Sequence, residues 1–263
     1  MRALHTAATG MRAQELNVQV ISNNIANMRT TGYKRQRVEF QDLLYEHVSR
    51  IGTQTSAQGN ILPVGIDLGG GVKTVGTPRL MTQGTLAQTG SSLDIAIRGD
   101  GFFKIQMPDG TFGYTRDGSF QLDAQGRIVN AQGNVVSPGL SVPQNATGLS
   151  INPQGQVSVT PQGTTTPTVI GQITLTRFIN QAGLVAVGDN LFTESPASGP
   201  PQDGLPSTDG AGDLQQGNLE QANVEAVSEI SNLIGAQRAY EMNSKVITAA
   251  DQMLSSTSNM MRG

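Results

Sequence analysis

The sequence predicts an α+β protein. Long N- and C-terminal helices pair as a coiled-coil-like stalk, and a central all-β domain, rich in hairpins, is joined to them by extended linkers. Three observations predict this. All 12 prolines fall between Pro63 and Pro206, together with 23 of the 32 glycines, so the helix breakers are confined to the middle. A proline in a helix interior costs about 3 kcal/mol, which leaves only the two ends free to be helical. Both ends repeat apolar residues every seven positions, and the middle sets its turn residues about eight apart.

The N-terminal arm, 1–45, carries Leu4, Met11, Val18 and Ile25 in a seven-residue series. Ala7, Ile21 and Met28 lie three positions further on, and Gln14 interrupts that second set. Apolar residues at such spacing form the seam of a helix that packs against another helix. The C-terminal arm, 219–263, repeats the pattern with Ala226, Leu233, Tyr240, Ile247, Leu254 and Met261, flanked by Ala239, Val246, Met253 and Met260. At 1.5 Å per residue the helices would be on the order of 40 Å and 60 Å long. A two-helix pair buries one stripe of each partner and leaves the remaining apolar flank in water. That surplus calls for further copies of the chain, and long helices without them are marginal, so the sequence predicts folding on assembly.

The centre, 76–195, reads as short strands. Turn pairs at Asp109-Gly110, Asp117-Gly118, Gln125-Gly126 and Gln132-Gly133 separate β-favouring runs such as 102–107, 111–115 and 127–129. Phe102, Phe103, Phe112, Tyr114 and Phe120 supply its aromatic core. Further hairpins are expected over 149–160, around Asn152-Pro153-Gln154-Gly155, and over 170–187, around Gln181-Ala182-Gly183. Two stretches read as linkers: 46–75, which includes Gly69-Gly70-Gly71, and 196–218, rich in Pro, Gly and Asp.

Composition narrows the function. The chain has 37% hydrophobic and 4% aromatic residues and no Trp, which suits an elongated, loosely cored molecule better than a densely packed enzyme. A net charge of −3 offers no basic field for nucleic acid. The strongest basic run, Lys34-Arg35-Gln36-Arg37, reads as a solvated helix end or as packing against carboxylates of a neighbour. No segment is apolar enough to insert in a membrane, and Met1–Ala13, broken by Arg2, His5 and Arg12, is not a cleavable signal. Cysteine is absent, and His5 and His47 are the only histidines, so a catalytic triad or a metal centre has almost nothing to draw on. Gly99-Asp100-Gly101 lacks the following Gly-Lys-Ser/Thr of a phosphate loop, and Asp203–Asp213 lacks the ligand spacing of a calcium loop. Asp94, Asp100, Asp109, Asp117 and Asp123 sit beside Gly or at strand ends, where turn formation accounts for them. No catalytic residue, cofactor or metal is expected.

The residues themselves resemble a known family, the rod and hook proteins of the bacterial flagellum. Ser22-Asn23-Asn24-Ile25-Ala26-Asn27, followed by Thr30-Thr31-Gly32-Tyr33-Lys34-Arg35, looks like that family's N-terminal hallmark. Leu93-Asp94-Ile95-Ala96-Ile97, Gly99–Phe103 and Tyr114–Phe120 resemble its central core, and Gln237-Arg238-Ala239-Tyr240-Glu241 with Asn243-Ser244-Lys245 its C-terminal helix. Within the family, the length and the stretch after Asp42-Leu43-Leu44-Tyr45 are similar to the members that build the distal part of the rod.

The resemblance implies a structural subunit that polymerises through Leu4, Met11, Val18, Ile21, Ile25, Met28, Leu233, Tyr240, Ile247, Leu254 and Met261. Its interfaces would be heterologous and non-closing, which propagates a helical filament. Such a filament would be a rigid tubular drive shaft carrying torque from motor to hook around an export channel. The implied partners are copies of itself, proximal rod proteins, the hook protein, the L and P ring proteins and the flagellar type III export apparatus. The implied place is the rod crossing the periplasm to the outer membrane, reached without a cleaved signal. A proximal rod or hook-type axial protein is the nearest alternative. A secreted β-rich binding module stands further off.

Overall fold

The computed structural model describes residues 2–49, 64–163 and 166–260. The chain divides into two units, one drawn from 1–25, 36–78 and 226–263, the other from 26–35 and 79–225.

The first unit holds the two terminal helices, α1 (Arg2–Ala26) and α2 (Ala226–Met260), with four strands, β1 (Glu39–Asp42), β2 (Tyr45–Ser49), β3 (Ile66–Gly69) and β4 (Val72–Gly76). The long helices expected at the two ends are present, but α1 stops well short of residue 45. Beyond it come Thr30, Thr31 and Gly32, two β-branched residues and a glycine at φ +69°. That backbone conformation costs a residue without a Cβ nothing and cannot continue a right-handed helix. β1 pairs antiparallel with β4 and β2 with β3. The corner between the pairs is closed by the Leu43 amide donating to the Gly71 carbonyl at 2.8 Å. The ends of the stretch expected as an extended linker, 46–75, are therefore paired strand. Its middle, 50–63, lies outside the described residues, as do Met1, 164–165 and 261–263.

The second unit is the β-rich centre. In chain order its strands are β5 (Leu86–Gln88), β6 (Ile95–Arg98), β7 (Phe102–Gln106), β8 (Phe112–Thr115), β9 (Gln121–Leu122), β10 (Ile128–Val129), β11 (Val135–Val136) and β12 (Ala146–Ile151). There follow β13 (Gln156–Pro161), β14 (Thr168–Gln172), β15 (Leu175–Arg177), β16 (Val185–Gly188), β17 (Leu191–Thr193), β18 (Gln202–Gly204), β19 (Asp213–Gln216) and β20 (Asn218–Glu220). A mixed-order antiparallel sheet runs β16-β17-β8-β7-β11-β10-β9, with β15 and β18 branching from β7. β12, β13 and β14 form a separate meander.

Of the Gly-centred turns the sequence places, those at Gly110, Gly126, Gly133 and Gly155 form, all with positive φ and each amide donating to the carbonyl three residues back. Asp117-Gly118 is not a hairpin turn: Gly118 lacks positive φ, its carbonyl accepts from the Ile95 amide at 3.0 Å, and β8 pairs with β7 and β17. The hairpin expected over 170–187 does not form. Gln181–Gly183 is a single 3-10 turn, β14 pairs with β13, and β16 pairs forward with β17 around Asp189 and Asn190, both at positive φ. That two-residue turn is a hairpin signal that a search for Gly alone passes over.

The core runs through Ile95, Ile97, Phe103, Ile105, Phe120, Val157, Ile173 and Leu175, all but fully buried. A second cluster gathers Phe102, Tyr114, Phe178, Leu184 and Phe192. Its rings meet edge to face, Phe102 at 6.0 Å from Phe178 and Tyr114 at 4.8 Å, the arrangement that aromatic quadrupoles favour. The segment 196–218, expected as a linker, is built into this unit. β18 pairs with β15, β19 with β6, and β20 with β5, while Ser198 and Leu214 are buried.

Candidate assembly surface and its anchor

In α2 the buried residues are Glu229, Ala236 and Ala250. With half-buried Asn243 they fall seven apart, and this is not the large apolar series. In α1, Ala3, Gly10, Asn17 and Asn24 have the same spacing. The two sets touch in opposite chain order. Asn24 Nδ2 donates to Glu229 Oε2 at 3.2 Å, and a Cβ added at Gly10 would lie 2.9 Å from Asn243 Nδ2. A small or amide side chain is therefore required on each side.

Asn24 is fully engaged. Its amide also donates to the Gln36 carbonyl at 2.9 Å and its Oδ1 accepts from the Gln36 amide at 3.0 Å. Glu229 lies in the first turn of α2, where the helix dipole favours negative charge.

The large apolar residues are left elsewhere. Ile21 is buried, while Leu4, Met11, Val18, Ile25, Leu233 and Ile247 are half-buried. Met28, Tyr240 and Leu254 are exposed, as are Val227, Ile230, Met242, Val246 and Met253. Met261 lies outside the described residues. α2 is thus apolar on flanks that its own chain does not cover, and it carries only Glu229, Arg238, Glu241, Lys245 and Asp251 as charged residues over 35 positions.

The N-terminal hallmark is anchored in the second unit. Gly32 at φ +69° lets the Arg116–Asp117 backbone approach so closely that a Cβ would sit 2.7 Å from it. The Gly32 amide donates to the Glu220 carbonyl at 2.8 Å. Tyr33 is buried beside it, and the Lys34 side chain is wholly buried. Lys34 Nζ donates to Glu220 Oε1 at 2.5 Å and to the Thr82 carbonyl at 2.9 Å, while Arg116 Nη1 reaches Glu220 Oε2 at 3.4 Å. The Gly84 amide adds a bond to Glu220 Oε1 at 2.9 Å.

One carboxylate therefore neutralises two buried cations. Burial pushes the Lys34 ammonium below its ordinary pKa, Glu220 opposing it through charge and hydrogen bond and Arg116 reinforcing it. Arg116 is pushed down by burial in the same way; its guanidinium stands 5.2 Å from the Phe102 ring centre, and its Nε lacks a partner among the described residues.

The basic run thus has a different role from the solvated or intersubunit one that its charge suggested. Lys34 is an internal ion of this chain, and only Arg37, paired with Glu39 at 2.8 Å, is an exposed charge of the expected kind. Glu220 gave no signal in the sequence, because its partners lie 186 and 104 residues away.

The other hallmark residues take structural positions as well. Asn27 caps the turn after α1 by accepting from Thr30 Oγ1 at 3.2 Å, and Asn23, Gln237 and Arg238 lie on exposed helix surface. Among the described residues no group of three or more His, Asp or Glu side chains could hold a metal ion, and no helix is long and apolar enough to cross a membrane.

Comparison with known proteins agrees with this architecture piece by piece. The model described as "Flagella basal body rod protein" matches residues 4–34, "Flagellar hook protein FlgE/F/G D1 domain" matches 96–159, and "Flagellar basal body rod FlgEFG protein C-terminal" matches 215–260. Two terminal helical segments around a β centre, in this order, define an axial protein of the flagellar hook-and-rod class. The flagellar basal-body rod protein FlgG of Caulobacter vibrioides is 54% identical over 260 residues, 99% of each chain. Those of Agrobacterium fabrum and Buchnera aphidicola are 47% and 45% identical, covering 100% and 98% of this chain and 100% and 99% of their own. This chain belongs to the family of flagellar basal-body rod proteins FlgG, a structural family and not an enzyme family.

Proposed function

We propose that the chain forms the distal section of the flagellar rod, polymerising through α1 and α2 into a straight, rigid tube that carries torque toward the hook and encloses an export channel. The observation that carries this reading is the division of labour on the helices. Small and polar residues, Gly10, Asn24, Glu229 and Asn243, meet between α1 and α2, and of the large apolar series only Ile21 is buried. Large apolar ones, Tyr240 and Leu254 among them, remain 43% and 45% exposed. In this reading α1 and α2 form an antiparallel coiled-coil-like stalk. Leu4, Met11, Val18, Ile25, Met28, Leu233, Tyr240, Ile247 and Leu254 supply its contacts to neighbouring copies, while Ile21, expected among them, is already buried within its own chain and Met261 lies outside the described residues.

Burying an apolar side chain such as Leu contributes about 1.5–3 kcal/mol, so a few per interface, repeated along a helical array, suffice for a stiff shaft. The partners are then proximal rod proteins below, the hook protein above and the L and P ring proteins around, with delivery as an unfolded chain by the type III export apparatus. The place is the rod from periplasm to outer membrane. Imaging isolated basal bodies with the chain labelled tests the assignment. Label along the outer half of the rod is expected. Label confined to the motor end would make the chain a proximal rod protein, and label absent from the axis would end the reading altogether.

A further inference from the structure

The second unit treats its basic side chains unequally. Lys34 and Arg116 share Glu220, Lys104 Nζ donates to Asp203 Oδ2 at 2.6 Å, and Arg177 donates to the Asp209 carbonyl. Half-buried Arg79 has no acceptor among the described residues. Its guanidinium stands 5.6 Å from the centre of the buried Phe192 ring, and it lines a half-open cavity of about 300 Å³ beside Tyr33 and Asn190. The wall is fixed rather than adaptable. Asn190 Nδ2 donates to the Thr31 carbonyl at 3.1 Å, Thr115 Oγ1 donates to the Asn190 carbonyl at 2.8 Å, and Asp189 and Asn190 hold positive φ. A guanidinium stacked on a ring has its planar N–H edge left for an acceptor, and the acceptor that matches that fork is a carboxylate.

We infer that this cavity receives an acidic side chain of a second copy of the chain, which pairs with Arg79 when the rod assembles. The inference rests on the polymerising function proposed above and locates a contact on the β unit. Three features favour a protein carboxylate over a free small anion. Next to the cavity runs β16, the edge strand of its sheet, with Val185 and Val187 about half exposed, which suits an incoming polypeptide. The chain carries 20 acidic against 17 basic residues, so acids remain after every internal pairing. Glu15, Glu241 and Asp251 are exposed on the helices and pair with no basic group among the described residues. Burial already pushes the Arg79 guanidinium down from its ordinary pKa, and a carboxylate partner would restore it.

Two measurements on the assembled protein test this. In the wild-type chain, phenylglyoxal should modify Arg79 at least tenfold more slowly in isolated basal bodies than in the dispersed monomer. In cells whose only copy carries Arg79→Lys, carbodiimide treatment of basal bodies should join the introduced amine to an Asp or Glu peptide, a link absent from the monomer. Equal phenylglyoxal rates in the two states would overturn the inference, as would protection without a carboxylate link, or a link already present in the monomer. Those results would leave the rod assignment standing. The absence of the wild-type chain from basal bodies would instead remove the assignment on which the inference depends.

Discussion

Asn24 and Glu229 sit 205 residues apart in sequence and meet with both side chains buried, the amide nitrogen 3.2 Å from the carboxylate oxygen. Asn24 simultaneously closes both hydrogen bonds of the Gln36 backbone. Replacing it with Leu, which has the same branching and number of side-chain heavy atoms but no polar group, orphans the Gln36 amide and carbonyl and removes a donor from Glu229. Each buried polar group left unpaired costs about 1–3 kcal/mol, so Asn24→Leu should destabilise the helical unit by roughly 2–4 kcal/mol. Thermal melting followed by helical circular dichroism at 222 nm measures it. An unchanged midpoint would show that the pair is incidental.

The buried triad makes an ordered prediction. Glu220→Gln leaves Lys34 and Arg116 as two buried cations without a counter-charge, and breaking a buried pair in this way costs about 3–5 kcal/mol. Lys34→Met removes one cation and leaves Glu220 with Arg116, a balanced pair. The second variant should therefore unfold in urea at a higher concentration than the first, although both remove the same ion pair. Equal midpoints would mean that Arg116, at 3.4 Å, contributes nothing to neutralising Glu220.

Gly32 combines a positive φ with backbone atoms 2.7 Å from where a Cβ would stand. The conformation alone costs a non-glycine residue about 1 kcal/mol or more, and the approaching Arg116–Asp117 backbone cannot swing aside as a side chain would. Gly32→Ala is expected to destabilise the β unit by more than about 2 kcal/mol, read from the urea midpoint by near-ultraviolet circular dichroism.

The fold class was legible because breakers, heptads and turn pairs are local signals. The anchor was half legible: Gly32, Tyr33 and Lys34 stand out as a motif, but nothing local tells that Lys34 turns inward, since its partner Glu220 arrives from the far end of the chain. The contacts between α1 and α2 were hidden for another reason. Periodicity puts every helical residue in some heptad, and counting large apolar residues selects Leu233, Tyr240 and Leu254. The chain instead buries Ala236 and Ala250 and brings Asn24 against Glu229 and Gly10 against Asn243. Likewise 196–218 has the composition of a linker, yet Leu214, pinned in β19 opposite Ile97, makes it part of the core.

Asp203 gives the acid limb of stability a residue. Burial acts to raise its pKa, but Lys104 and the Thr176 hydroxyl, at 2.6 and 2.5 Å, outweigh it and hold the carboxyl below its ordinary value of 3.8. A group whose pKa is lower in the folded state stabilises the fold above the unfolded value, and that contribution disappears as pH falls through the folded one. Asp109 and Asp123 are depressed too and add in the same direction. Stability should therefore decline as pH drops below about 4. Asp203→Asn should be less stable at pH 7 and decline less steeply, as measured by urea midpoints across pH 2–7.

Leu254 and Leu233 separate folding from assembly. Leu254 is 45% exposed near the end of α2, so an Asp there loses little burial in the isolated chain, and surface substitutions of this kind stay within about 0.5 kcal/mol. Leu233 is half-buried and should cost somewhat more, though it too lies outside the β unit. In an assembled tube the same carboxylates would be desolvated against apolar neighbours, a penalty of several kcal/mol repeated at every subunit. Leu233→Asp and Leu254→Asp should therefore leave the near-ultraviolet spectrum of the β unit unchanged while abolishing rods in electron micrographs and swimming in soft agar. Asn17→Asp, among the small and polar residues, carries no such repeated penalty. If Leu254→Asp cells swim normally, the exposed apolar flank of α2 does not face another subunit, and the contact that holds the shaft together must be sought on the β unit.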